Sequence, residues 1–321
     1  MTRIRSMATS LLSLSAAALL VLGGAGGASA APAASDDQKT PSVASATVDT
    51  SGAADYWTTE RMRAAIPGDV LAAKALKRGN SSSAGTVEKG SNTKVTATNG
   101  KPTIAKDENP VKHIGKVFFT LAGGNYVCSG NAVKSGNKST VSTAGHCLNE
   151  GPGAFATNFV FVPAYLNGAA PYGKWTARAL YAPTEWSAKG DMQYDTGFAV
   201  MNQFNGKYLS DVVGASAVQF NAARGLTYKS YGYPAAPPFN GESLKSCTGK
   251  ASNDRNNPRL NTQGISCDMT GGSSGGPWFI GSGSDGVQNS INSYGYSGSR
   301  MMYGPYWGSV IQQTYTGAAA S

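Results

Sequence analysis

The 321 residues predict an all-β protein closed by one short C-terminal helix, and three observations carry that prediction. From about residue 112 onward, apolar runs of four to eight residues alternate with turns rich in Gly, Asn and Pro, such as Ser135-Gly136-Asn137 and Asn167-Gly168. Long helical periodicity is absent except near the end, where Trp307, Val310, Ile311 and Tyr315 share one helical face over Pro305 to Tyr315. Only 14% of residues are charged while 41 are glycine, which disfavours long helices and coiled coils; 40% hydrophobic content excludes wholesale disorder.

The N-terminus reads as an address. Arg3 and Arg5 precede an apolar stretch from Leu11 to Leu22, then a glycine-rich patch and Ala28-Ser29-Ala30. Basic head, apolar middle and small-x-small end make residues 1–30 a secretory signal peptide. The stretch falls short of the about 20 apolar residues a spanning helix needs, and no later run approaches that length. The expected product is an extracellular protein in an oxidising environment, without stable membrane association.

Residues 31–108 read as a pro-segment, largely irregular, dominated by Ala, Ser, Thr, Gly, Asn and Lys. A permanent linker is the alternative. Only Tyr56 to Leu76 has an ordered pattern, with Thr59 as helix N-cap and Pro67 as an early breaker. Arg78, Lys106 and Lys112 are candidate cleavage points. Residues 109–321 form the functional domain. The formal charge of +9 would suit nucleic acid or an acidic surface. Residues 101–321 carry 17 Lys+Arg against 11 Asp+Glu, so the charge falls to +6 and reads as background, with no nucleic-acid partner expected.

Within that domain the strands begin with Lys116 to Leu121 and Ser139 to Val141. Asn158 to Val162, Thr196 to Met201, Leu226 to Tyr231 and Trp278 to Ile280 follow. Chemistry sits at the ends of three of them. Ser142-Thr143-Ala144-Gly145-His146-Cys147 holds one of only two histidines among small neighbours, which suits a rigid proton acceptor near neutral pH. Taken alone, His146 reads equally as a structural histidine. In Gly271-Gly272-Ser273-Ser274-Gly275-Gly276-Pro277, glycines let the backbone turn sharply and aim successive N–H groups at one point. Ser274 is then a candidate nucleophile, with the N–H groups of Gly272 and Ser274 as donors to an oxyanion. Asp195 opens an apolar strand, where a carboxylate can fix a histidine's tautomer; Asp191 reads as a solvated loop charge.

The order His146, Asp195, Ser274, with T-A-G-H-C, Y-D-T-G-F-A-V and G-x-S-G-G-P, resembles the chymotrypsin-like serine proteases from about Val111 to Tyr315. Ser293-Tyr294-Gly295 is similar to that family's S-W-G segment. The resemblance is to the bacterial trypsin-like and glutamyl endopeptidase-like group. It implies two six-stranded antiparallel β-barrels with the site between them. It also implies an endopeptidase acting on protein or peptide through an acyl-enzyme, with Ser293 and Gly295 pairing with the substrate backbone.

Asp268, six residues before Ser274, stands in the register of the trypsin-like pocket carboxylate and favours Lys or Arg before the scissile bond. The same stretch also resembles glutamyl endopeptidases, whose pocket usually includes a second histidine. Here Asn292 precedes Ser293, and the other histidine is His113. Four cysteines allow three pairings; the resemblance implies Cys128–Cys147 and, with it, Cys247–Cys267. Zinc is the alternative for them, but no C-x-x-C spacing exists. No metal or cofactor and a monomer are expected.

One departure concerns activation. Animal proteases place an Asp just before the nucleophile to receive the freed N-terminus, and here that residue is Ser273. The pro-segment would then serve as a folding aid or a block on the cleft. A catalytically inactive binding module on the same fold is the alternative function.

Overall fold

A computed structural model of the chain describes residues 43–79 and 104–321. The signal peptide, and the parts of the expected pro-segment at 31–42 and 80–103, lie outside the described residues.

Residues 43–79 carry more regular structure than their composition suggests: strand β1 (Val43–Thr47), helices α1 (Ala53–Tyr56) and α2 (Thr59–Ala64), strand β2 (Ile66–Pro67) and helix α3 (Asp69–Gly79). Order in this segment therefore extends beyond the expected Tyr56 to Leu76 to include β1. Its order comes from the domain it lies on, because β1 pairs antiparallel with a barrel strand and β2 pairs with another. Thr58, not Thr59, caps α2, its hydroxyl accepting from Arg61 N–H at 3.2 Å. Pro67 follows the helix end, as a breaker should.

After β3 (Lys106–Asp107) come β4 (Ile114–Leu121), β5 (Gly124–Val133), β6 (Thr140–Thr143), β7 (Thr157–Pro163), β8 (Trp175–Pro183) and β9 (Gly197–Met201). Pairing runs β8-β7-β4-β5-β6-β9, and β9 pairs back to β8, so six antiparallel strands close into a barrel. Its interior holds Val117, Phe119, Val141, Phe161, Leu180, Phe198 and Val200, all at most 1% exposed. The short helices α4 (Thr184–Lys189) and α5 (Leu209–Val213) lie before and after β9.

The second half also has six main strands, split between two sheets. In one, β10 (Thr227–Gly232) pairs with β11 (Lys245–Lys250) and β14 (Pro277–Ile280), and β14 with β15 (Val287–Ile291). The other comprises β12 (Ser252–Asn253), β13 (Thr262–Ser266) and β16 (Met301–Pro305). Strand β13 lies beside β11, and β16 beside β15, without named ladders between them.

Helix α6 (Ser309–Ala320) starts later than the periodicity places it. Met301–Pro305 pairs with β13 instead, and Trp307 is fully buried, its indole N–H donating to Thr196 Oγ1 at 3.1 Å. The disulfides Cys128–Cys147 and Cys247–Cys267 are both present. Each closes a loop of about 20 residues and stabilises the fold by about 3 kcal/mol through restriction of the unfolded chain.

Candidate active site

His146 sits in a 3-10 turn, Gly145–Cys147, directly after β6. The turn is anchored by the Cys147 disulfide and backed by the buried Trp186, whose ring centroid is 6.4 Å from the imidazole. Asp195 lies between a second 3-10 turn, Met192–Tyr194, and β9. Pairing of β6 with β9 sets Thr143 opposite Gly197, which brings the residues around both strand ends together.

The Asp195 carboxylate is fully buried and engaged three times. Oδ1 accepts the His146 backbone N–H at 2.8 Å, and Oδ2 stands 2.8 Å from His146 Nδ1. Oδ2 also accepts the Ser293 hydroxyl proton. A carboxylate can only accept, so Nδ1 of the neutral imidazole carries the proton and Nε2 keeps its lone pair. Nε2 is buried and has no hydrogen-bond partner.

Ser274 is held by its backbone. Its carbonyl accepts Ser129 N–H at 2.7 Å, and Gly275 N–H donates to Asn292 O at 2.7 Å. Gly275 has φ +80, and a β-carbon there would collide with Thr143 Oγ1 and Ser129 O, so only glycine lets the serine loop lie against the end of β6. The N–H groups of Gly272 and Ser274 meet no acceptor among the described residues, leaving two donors available beside the hydroxyl. No hydrogen bond joins Ser274 Oγ to His146 Nε2. Ser273 is satisfied within its own turn, its hydroxyl donating to Thr270 O at 2.8 Å.

Asn292 is the clamp that sequence reasoning missed. Its Oδ1 accepts from Ser230 Oγ and Trp278 Nε1, both at 2.7 Å. Its Nδ2 donates to Tyr231 O at 2.9 Å and to Ser273 O at 3.1 Å. Four bonds from one amide fix the serine loop to β10 and β14, and nothing in the one-dimensional pattern marks them. Ser293 likewise has a role that the S-W-G likeness left out, as the hydroxyl donor to Asp195; Gly295 nearby is exposed.

Asp268 is half-buried, and its Oδ1 accepts Ala105 N–H at 2.7 Å. The His113 Nδ1 lies 2.7 Å from Asn131 Oδ1 and its ring meets Phe279 edge-on. Burial holds the His113 pKa below its ordinary value, so the fold prefers the neutral ring. The unfolded chain then binds the proton more readily. Stability is full above pH about 6.5 and falls as pH drops from there toward the folded value. Urea unfolding between pH 7.5 and 5 should show a shallower acid-side loss in His113→Gln than in wild type; equal slopes would refute the assignment.

Asp69, at the start of α3, also reaches the site. Its carboxylate abuts Gly271, leaving no room for a β-carbon. Burial pushes the Asp69 pKa up, and His146, when protonated, pulls it back.

A closed six-stranded barrel, a second six-stranded half and a buried His–Asp pair beside a glycine-flanked serine define a chymotrypsin-like fold. The crystal structure of protease Anisep from Arthrobacter nicotinovorans is 76% identical and matches with a TM-score of 0.67, covering 68% of this chain and 100% of that one. The thermostable serine protease AL20, from an extremophilic microorganism, is 52% identical with a TM-score of 0.63, covering 65% and 98%. A Glu endopeptidase structure, 18% identical with a TM-score of 0.54 and covering 70% and 99%, shares the fold.

The chain therefore belongs to the chymotrypsin-like serine proteases, and it is a serine endopeptidase.

No protein-family model matches the chain. A curated relative, an extracellular metalloprotease of Bacillus subtilis (strain 168), is 25% identical over 147 residues, 46% of this chain. The match spans 44% of that protein, less than half its length. Among the described residues the donors do not fit a catalytic metal. Among the described residues the one group of suitable size is Cys128, His146 and Cys147, and its two sulfurs are bonded to each other.

Proposed function

We infer that the chain is a secreted endopeptidase that cleaves peptide bonds with Ser274 as nucleophile, His146 as general base and Asp195 as its positioning partner. The observation that carries this reading is the 2.8 Å contact of His146 Nδ1 with the buried Asp195, which leaves Nε2 as an unpaired base.

Rotation of the Ser274 hydroxyl toward Nε2 lets His146 take its proton as Oγ attacks the scissile carbonyl. The tetrahedral oxyanion is received by the N–H groups of Gly272 and Ser274. His146 returns the proton to the leaving amine, and water repeats the sequence on the acyl-enzyme. Asp195, accepting from both His146 and Ser293, stabilises the imidazolium that forms.

For the residue before the scissile bond, the reading is a preference for Lys or Arg, with Asp268 as counter-charge and Ser293 to Gly295 pairing with the substrate backbone. Against a glutamyl pocket built on a second histidine stand two facts. His113 is committed to Asn131, and every polar side-chain atom of Asn292 is bonded. Residues 1–30 are assigned as signal peptide and 31–108 as pro-segment before the protease domain 109–321. Two disulfides support export, and no helix among the described residues is long and apolar enough to cross a membrane.

The test is Ser274→Ala in protein recovered from the culture medium. Its kcat/KM should fall by about 10³-fold or more with both disulfides retained, and a fluorophosphonate should label wild type at Ser274 only. Hydrolysis at the wild-type rate would overturn the assignment. Cleavage of a peptide library after residues other than Lys or Arg would overturn the pocket reading alone.

A further inference from the structure

Strand β4 carries a lysine where its neighbours are apolar: Lys116 is only 2% exposed, beside the fully buried Val117 and Phe118. Its amine makes no ion pair with a carboxylate among the described residues. It donates instead to Gly241 O at 3.0 Å and lies 4.3 Å and 5.1 Å from the ring centroids of Tyr165 and Phe118. Burial pulls the Lys116 pKa down to about 8 against the pull of Glu242, so the amine is protonated at neutral pH. Burying a cation for one carbonyl is costly, and packing alone would be met by an apolar side chain.

What Gly241 holds gives the cation its use. Residues 233–241 form a loop that leaves β10 and returns on itself, Gly241 N–H donating to Pro234 O at 2.7 Å. Pro234, Pro237 and Pro238 narrow the loop's backbone freedom. Ala235 and Ala236 both donate their N–H groups to Gly271 O, at 2.6 Å and 3.2 Å, and Ala236 O accepts the Thr270 hydroxyl at 2.6 Å. The Gly271–Gly272 peptide is trans, so holding Gly271 O from one side turns Gly272 N–H toward the other. Ser129, directly across from Lys116 on the same sheet face, adds a second tie. Its hydroxyl donates to Gly272 O and accepts Tyr233 N–H, both at 2.9 Å.

We propose that loop 233–241 is a splint that aims the Gly272 N–H at the oxyanion, and that Lys116 is the positioning residue that pins this splint to the first barrel. This rests on the roles assigned above to Ser274 and Gly272.

Two features tie the lysine to the aim of the donor. Gly241 has φ +76, and a β-carbon there would stand 2.8 Å from Ala235 Cβ and 3.2 Å from Lys116 Nζ, so glycine lets the loop close onto the amine. Gly272 has φ +92, and a β-carbon there would stand 2.7 Å from Ala235 Cβ, so loop and donor are in direct contact. The oxyanion exists only after attack on the carbonyl. A loosened splint therefore lowers kcat and leaves substrate binding in place.

The experiment compares wild type with Lys116→Met, which keeps the length of the side chain and removes the amine. The kcat of the variant should fall about ten-fold or more with KM within two-fold. A peptidyl aldehyde built on a cleaved sequence adds Ser274 Oγ to its carbonyl carbon, the proton passing to His146 and the carbonyl oxygen becoming the oxyanion. Its affinity should fall by the same factor as kcat, while the matching peptidyl alcohol, which forms no adduct, should bind both proteins equally. Gly241→Ala should give the same split, and the double variant should lose no more than the worse single one.

An unchanged kcat in folded Lys116→Met, a loss confined to KM, or losses that multiply in the double variant would each overturn the splint. An aldehyde that wild type binds no tighter than the alcohol overturns the oxyanion assignment and the splint with it. Equal preference for the aldehyde in wild type and variant overturns the splint alone. Hydrogen exchange in wild type keeps the test decisive should the variants misfold. The Ala235 and Ala236 N–H groups should exchange as slowly as those of β10, and fast exchange at both overturns the splint.

Discussion

Asp195→Asn is expected to lower kcat by about 10⁴-fold at neutral pH, the size of effect typical of this kind of triad. The reason lies in proton direction rather than in lost charge alone. Asp195 accepts three hydrogen bonds, from His146 N–H, His146 Nδ1–H and Ser293 Oγ–H. An asparagine has one acceptor oxygen, and its amide nitrogen can only donate. With that nitrogen turned toward the ring, the proton moves to Nε2 and the base faces away from the nucleophile. The disulfide at Cys147 and the packing of Trp186 hold the turn in place, so the variant should remain folded. Steady-state kinetics beside a denaturation curve check this: a kcat within ten-fold of wild type in a folded variant would refute the role of Asp195.

The second large effect falls on stability. Asn292→Ala removes an amide that makes four buried hydrogen bonds and leaves the Ser230 hydroxyl, the Trp278 indole N–H and the Tyr231 and Ser273 carbonyls to find new partners. Each unsatisfied buried group costs about 1–3 kcal/mol. Partial relaxation should bring the total to about 3–5 kcal/mol, among the largest single-site losses expected. Because Ser273 precedes Ser274, the proposed nucleophile, activity should fall as well, even where most of the protein is folded. Urea unfolding reads the first effect and active-site titration the second. A loss below about 1 kcal/mol would show that these bonds are replaced by water.

Much of the site was legible in the chain before any fold was known. His146, Asp195 and Ser274 lie in short local motifs that suit the roles proposed for them: small residues around His146, glycines around Ser274, an apolar strand behind Asp195. Asn292 was not legible, since it registered only as the absence of a histidine. Its function depends on Ser230, Tyr231, Trp278 and Ser273, which reach it only when β10, β14 and the serine loop are assembled. The N-terminal segment was legible in part: Tyr56 to Leu76 stood out as ordered, while strand β1 did not, because it forms only against β8. Local propensity favours helix in its Ala-rich stretch, but that Trp57, Met62, Ala72 and Ala75 are buried depends on the partner surface the barrel supplies. The helix near the C-terminus was placed too early because Trp307 fits a helical face equally well but is claimed by Thr196.

The sequence by itself determined the class: short strands between glycine-rich turns, a His, an Asp and a Ser motif in a fixed order, and a cysteine pair bracketing the histidine segment. These are local features, and periodicity and motif chemistry record them directly. Only the tertiary structure decided which groups meet. It brought Ser293 onto Asp195, set Ala105 N–H on one oxygen of Asp268, joined His113 to Asn131, and laid Asp69 against Gly271. The Asp69 and Asp268 contacts join residues more than 160 positions apart, so they depend on how β-strands distant in sequence pair and close, which no local window contains.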